Sequence, residues 1–177
     1  MVANVKDKAV IVGVGNTEFS KDSGVSELNL AVQACKRALD DAGLKPSDVD
    51  GMATFTMDTN DEIEVARALG CGGLNFWGRS HYGGGAATGT LHQAVMAIAT
   101  GMAEVVICFR ALNGRSGHRF SDGVSGTITT ADAIHWGWYM PYGLLTPASW
   151  VAMFTQRWMH LTGISKDALF EVCLLYT

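Results

Sequence analysis

The sequence predicts an α/β fold with a mostly parallel sheet, and three observations predict it. Short, fully apolar runs bounded by glycine read as buried strands, as in Lys-Ala-Val-Ile-Val-Gly at 8–13 and Glu-Val-Val-Ile-Cys-Phe at 104–109. Between them lie stretches with apolar residues at three- and four-residue steps, the pattern of helices that bury one face. The two patterns alternate along the chain, which is the signature of a parallel sheet joined by helices.

The elements follow in order. Lys8 to Gly13 reads as a first buried strand. Ser23 or Ser26 can cap a helix whose stripe is Leu28, Val32, Cys35, Ala38, Leu39 and Ala42, with Gly43 as its stop. Pro46 to Asp50 reads as a turn, Gly51 to Thr56 as a second strand, Asp61 to Leu69 as a short helix, and Leu74 to Gly78 as a third strand. Ala86 to Thr100 reads as a second clear helix with Leu91, Ala94, Val95 and Ile98 on one face, ended by Gly101. Glu104 to Phe109 is the fourth strand. Helices are predicted again at about Pro147 to Leu161 and from a Ser165 cap to Val172. The organisation expected is an α/β unit over 1–112, a loop excursion over 113–147 lying on the sheet, and further helices over 148–177. The last helix has barely begun at Thr177 and no strand follows, which reads as part of a larger protein.

Composition narrows the function classes. The chain has 177 residues, 48% of them hydrophobic, and a net charge of -4 with scattered Lys and Arg. A packed core is expected, and a nucleic-acid partner is not. No leader and no apolar run near the length of a membrane helix is seen, so the expectation is a cytoplasmic protein without a membrane span. Cys35, Cys71, Cys108 and Cys173 are widely spaced with no C-x-x-C pair, which indicates no metal site and four reduced thiols, mostly buried.

Glycine is frequent, at 21 of 177 residues, against a typical share of about 7%. The densest cluster is Ser80-His-Tyr-Gly-Gly-Gly-Ala-Ala-Thr-Gly-Thr90, which joins a strand to a helix. Small residues there admit a ligand or another backbone, and the unpaired N–H groups of the helix start attract anions. The same glycines also serve plain strand–helix packing. Thr88 is the hydroxyl of the first turns taken to face inward. His81 is a structural histidine or an acid/base group, Tyr82 a packed aromatic or a hydroxyl donor, and His118 is a third titratable candidate. Arg115 and Arg119 suit phosphates or a solvated surface. Trp136, Trp138, Tyr139, Tyr142 and Trp150 suit an apolar channel or the loop's own core.

Three runs then carry a resemblance: Asp41-Ala-Gly-Leu-Lys-Pro-Ser-Asp-Val-Asp50, Ala97-Ile-Ala-Thr-Gly-Met-Ala-Glu-Val-Val-Ile107 and Gly143-Leu-Leu-Thr-Pro-Ala-Ser-Trp150. Over residues 8–172 the chain resembles the N-terminal half of the thiolase superfamily. Within it the chain is most similar to the sterol-carrier-protein-x and lipid-transfer-protein branch and its Ltp2-type steroid side-chain aldolases. The resemblance implies a thiolase-like layered fold. In thiolases a nucleophilic cysteine opens the second helix. That position falls at Gly84 or Gly85, or at Ala86, and none is Cys. The Ltp2-type branch shares this loss, which implies retro-aldol cleavage of a β-hydroxyacyl-CoA to a ketone and a short acyl-CoA such as propionyl-CoA.

On this reading Gly83, Gly84, Gly85, Thr88, Arg115, Arg119 and Trp150 would bind substrate or CoA. No cofactor is needed beyond the CoA thioester, which is substrate. The family's acid/base groups come from its C-terminal half, so no catalytic residue carries over and the chain alone is expected to be inactive. A homodimer and a small DUF35/OB-fold partner protein are the expected assemblies. Two alternatives stay open: a thiolase-type acyltransferase using another residue, and a non-catalytic subunit that binds a partner.

Overall fold

The computed structural model describes residues 5–55, 59–80, 86–115 and 137–175. Two compact units divide the chain, 1–120 and 121–177.

The first unit is built on three parallel strands, β1 (Gly51–Phe55), β2 (Phe76–Ser80) and β3 (Val106–Phe109), in the order β2-β1-β3. Gly51 faces Phe76 on one side and Val106 on the other, so the strands run in step. β1 is buried along its whole length, as expected of a central strand covered on both faces. Helices α1 (Glu27–Ala42) and α2 (Glu62–Leu69) pack together and cover one face; α3 (Ala86–Ala99) packs on the strands from the other.

The two faces are filled differently, and the period-2 alternation of the strands decides how. Toward α1 and α2 point Met52, Ile107 and Phe109, which join Ala31, Cys35, Leu39, Val65 and Ala66 in the main apolar core. Toward α3 the sheet presents small residues. A Cβ added at Gly78 would lie 2.8 Å from Gln93 Oε1 of α3, and one at Gly89 of α3 would lie 3.3 Å from Ser80 Oγ. The helix answers with small residues of its own, Thr90, Ala94 and Ala97, while Leu91 turns outward at 44% exposure. The stripe predicted for this helix is therefore rotated. Close approach to a glycine-rich strand face selects alanine over leucine, whatever the hydrophobic period suggests.

Helix boundaries follow local chemistry. Ser26 caps α1 through its hydroxyl, which accepts from Asn29 N at 3.2 Å, and Gly43 ends it in the left-handed conformation at φ 68°. A short 3-10 turn, Pro46–Asp48, follows. Asp50 then accepts backbone N–H groups from Glu104 at 3.0 Å and Val105 at 2.9 Å, which ties the entrance of β1 to that of β3.

One predicted strand is absent. Among the described residues nothing pairs with residues 8–13, and Val10, Ile11 and Val12 are exposed. The segment lies along α1 instead. A Cβ at Gly13 would sit 2.2 Å from the carbonyl oxygen of Ala38, and one at Gly15 would sit 2.3 Å from that of Ala34. Val14 N donates to Asp41 Oδ2 at 2.9 Å, and Arg37 Nη1 donates to Asn16 O at 2.6 Å. An apolar run bounded by glycine fits either use, because its glycines permit a helix surface as close as a neighbouring strand.

In the second unit, α4 (Pro147–Thr162) and α5 (Lys166–Leu174) follow a 3-10 turn at Met140–Tyr142. Tyr139 and Trp150 stack at 5.0 Å between ring centroids with a 47° tilt. Neither helix buries a residue fully, and Phe154, Trp158 and Phe170 are exposed.

Candidate functional site

The carboxyl ends of the three parallel strands meet the first turns of α1 and α3, the end of an α/β sheet where ligands bind. Hydroxyl groups lace this end together. Thr54, fully buried, donates to Phe109 O at 3.0 Å across the β1–β3 ladder. Thr90 in α3 donates to Thr54 O at 3.3 Å, which pins the helix to the central strand. Ser80, the last residue of β2, is 7% exposed, and its hydroxyl has no hydrogen-bond partner among the described residues. It lies against Gly89, where an added Cβ would be 3.3 Å from Ser80 Oγ. Gly89 is thus small because a strand side chain occupies the space beside it.

Sulfur at this end is chemically quiet. Cys108 Sγ, in β3, contacts Thr90 O at 3.8 Å. Burial pushes its thiol up to about 11, and the thiolate is the reactive form. Cys71 is also raised, chiefly by burial, with a backbone hydrogen bond pulling the other way. Cys35 is buried, Cys71 and Cys108 are half-buried and Cys173 is exposed, so the expectation of mostly buried thiols holds in full only for Cys35.

The residues singled out from sequence are placed as follows. Thr88 is exposed, and the inward hydroxyl of this helix start is Thr90, which alternation alone did not single out. Arg115 is exposed, six residues beyond the last bonded pair of the sheet. Trp150 is half-buried in the second unit against Tyr139, while Trp138 and Tyr142 are exposed at 75% and 80%. His81, Tyr82, Gly83, Gly84, Gly85, His118, Arg119 and Trp136 lie outside the described residues.

Sequence reasoning missed a polar knot at the same end of the sheet. Glu27, the first residue of α1, accepts the backbone N–H of Asn113 on Oε1 at 3.1 Å and the Thr59 hydroxyl on Oε2. Asn113 Nδ2 donates to Val25 O at 2.9 Å, and Ser23 Oγ donates to Asn113 Oδ1 at 2.8 Å. The carboxylate sits where the helix dipole favours negative charge. Nearby, Arg79 pairs with Asp61 at 3.2 Å and Glu62 at 3.4 Å, fastening the start of α2 to β2. Arg110 lies over the Phe55 ring at 4.3 Å. The partners are distant in sequence, so no spacing rule could have joined them.

No family model matches the chain. Individual relatives do. The steroid side-chain-cleaving aldolase of Thermomonospora curvata is 54% identical over 169 residues, covering 94% of this chain and 43% of the relative. The 17-hydroxy-3-oxo-4-pregnene-20-carboxyl-CoA lyase of Mycobacterium tuberculosis is 54% identical over 161 residues, covering 90% of this chain and 42% of the relative. Among solved structures, an Ltp2-ChsH2(DUF35) aldolase is 55% identical with a TM-score of 0.71, covering 88% of this chain and 38% of that one. Over nearly its whole length the chain is similar to part of these aldolases.

The α/β fold with a parallel sheet expected from the sequence is shown, and it matches that of the solved aldolase. The chain spans somewhat over two fifths of the length of these curated relatives. In the Ltp2-type frame, the run 83–89 between β2 and the first turn of α3 contains no cysteine. Of the sulfurs packed on α3 from the sheet, Cys108 is held protonated by burial. Among the described residues no helix is long and apolar enough to cross a membrane.

Proposed function

We propose that the protein is a carbon–carbon lyase that cleaves a β-hydroxyacyl-CoA by retro-aldol chemistry, the acyl group being a steroid side chain. The observation that carries this is 54% identity to two relatives named as steroid side-chain aldolase and steroid carboxyl-CoA lyase. The chemistry agrees with what the chain holds. A base removes the proton of the β-hydroxyl, the bond between the α and β carbons breaks, and the electron pair moves onto the thioester carbonyl as an enolate. A proton delivered to the α carbon completes the short acyl-CoA, and the β carbon leaves as a ketone. For a 17-hydroxy-20-carboxyl-CoA the products are a 17-ketone and propionyl-CoA. No step needs a covalent nucleophile or an added cofactor, in keeping with a helix start that has no cysteine.

The roles within this chain follow the same reading. The developing enolate oxygen is stabilised by the N–H groups of the glycine run 83–85 and of the helix that follows it, since fixed dipoles act most strongly on charge that forms in the reaction. Arg115 and Arg119 bind CoA phosphates, and Trp150 contributes apolar surface to the substrate path. The protein works in the cytoplasm as a homodimer, with a DUF35-type partner of the kind found in the solved Ltp2-ChsH2(DUF35) aldolase. Incubation of the full-length protein, with and without such a partner, with 17-hydroxy-3-oxo-4-pregnene-20-carboxyl-CoA tests the reading. Equimolar ketone and propionyl-CoA are expected by chromatography. An acyl-enzyme adduct in mass spectrometry, with no ketone released, would overturn it in favour of acyl transfer.

A further inference from the structure

Glu27 lies in no motif, yet its carboxylate joins three segments that have nothing else in common in sequence. It accepts from Asn113, four residues past the end of β3, and from Thr59, four residues past the end of β1, while its own backbone opens α1. Asn113 is held a second and a third time, through Val25 O and Ser23 Oγ. Every bond in this knot lies at the carboxyl end of the sheet, and its effect is to fix the chain direction just before Arg115. A loop with one tether swings; one held by its backbone N–H and by both ends of its side-chain amide does not. Preorganised placement of a charged group raises affinity because less freedom is lost on binding.

We propose that Glu27 is a positioning residue for acyl-CoA. Through Asn113 it holds the loop after β3 so that the Arg115 guanidinium is presented to the CoA phosphates. The proposal rests on the acyl-CoA reading above, and Glu27 itself touches no substrate.

The test is the Kd of full-length protein for propionyl-CoA, by isothermal titration, for Glu27→Ala, Glu27→Gln, Asn113→Ala and Arg115→Ala. Glu27→Ala, which frees the Asn113 backbone N–H, and Asn113→Ala, which frees the tethers to Val25 O and Ser23 Oγ, each weaken binding by about 5- to 10-fold, and the double variant is weaker than either single because the tethers hold one loop in parallel. Glu27→Gln keeps an oxygen for the Asn113 N–H and an amide for the Thr59 hydroxyl, so it stays within about twofold of wild type. Arg115→Ala weakens binding at least as much as Glu27→Ala. Should Glu27→Ala not fold, Asn113→Ala, which removes the side-chain tethers to Val25 O and Ser23 Oγ, carries the same expectation. Loss of stability with an unchanged Kd, a Gln variant as weak as Ala, or a wild type that does not bind propionyl-CoA overturns the proposal. A wild type that binds propionyl-CoA but releases no ketone from the steroid thioester overturns the lyase reading alone, and the Kd series still decides the role of Glu27.

Discussion

Asp50 closes the Asp41–Asp50 run, and removing its side chain tests how that run organises the sheet. The carboxylate takes Glu104 N–H at 3.0 Å on both oxygens, Val105 N–H at 2.9 Å on Oδ1, and Asn75 Nδ2 at 3.4 Å. These bonds are unequal. The Glu104 amide is exposed and can turn to water, so its loss costs little. The Val105 amide is part-buried, and leaving it unpaired costs about 1–3 kcal/mol. Asp50→Ala is therefore expected to destabilise the protein by about 2–3 kcal/mol, the Val105 amide contributing most. Asp50→Asn keeps one oxygen for Val105 but sets an NH2 group toward the Glu104 N–H, and a loss of about 1 kcal/mol is expected. Equilibrium urea unfolding followed by tryptophan fluorescence measures both. A loss below about 0.5 kcal/mol for Asp50→Ala, or equal losses for Ala and Asn, would refute the reasoning, since the clamp would then not act through the buried amide.

Three further expectations rest on the sheet faces. Gly51→Ala places a Cβ 2.8 Å from Val106 Cγ2 and 3.3 Å from Ala103 Cβ, and should cost about 1–3 kcal/mol; adding Val106→Ala should recover part of that, and a strictly additive double variant in urea unfolding would sink the idea. Ser80→Ala removes a buried hydroxyl without a partner among the described residues and is expected to be neutral or to stabilise by about 1 kcal/mol, whereas Thr90→Val, which breaks the bond to Thr54 O, should cost about that much. Cys108, raised from an ordinary value of 9.0 to about 11, favours the folded state fully below pH 9 and loses that contribution as pH climbs from 9 through 11, at about 1.4 kcal/mol per unit. Mass spectrometry after iodoacetamide at pH 8 should accordingly find exposed Cys173 alkylated and Cys108 not, and Cys108→Ala should flatten the alkaline fall in stability.

Much of this protein is determined by its sequence read alone. The capped α1, the strands at 51–55 and 106–109, α2, and the helices at 147 and 166 all stand where period and capping residues put them, because those signals are local. So does the absence of cysteine between Ser80 and Thr90, which composition shows directly. The tertiary structure decided the rest. It turned Leu91 outward and set Ala97 inward beside Ala94, since the approach of α3 to the sheet is set by Gly78 in the neighbouring strand. It laid residues 8–13 on α1 instead of in a ladder, since Gly13 and Gly15 admit Ala34 and Ala38 only once that helix exists. It chose Thr90 over Thr88 as the inward hydroxyl, and it brought Glu27 to Thr59 and Asn113. Hydrogen bonds between residues 32 and 86 positions apart have no period to betray them. They exist only because a parallel sheet collects the carboxyl ends of its strands on one side.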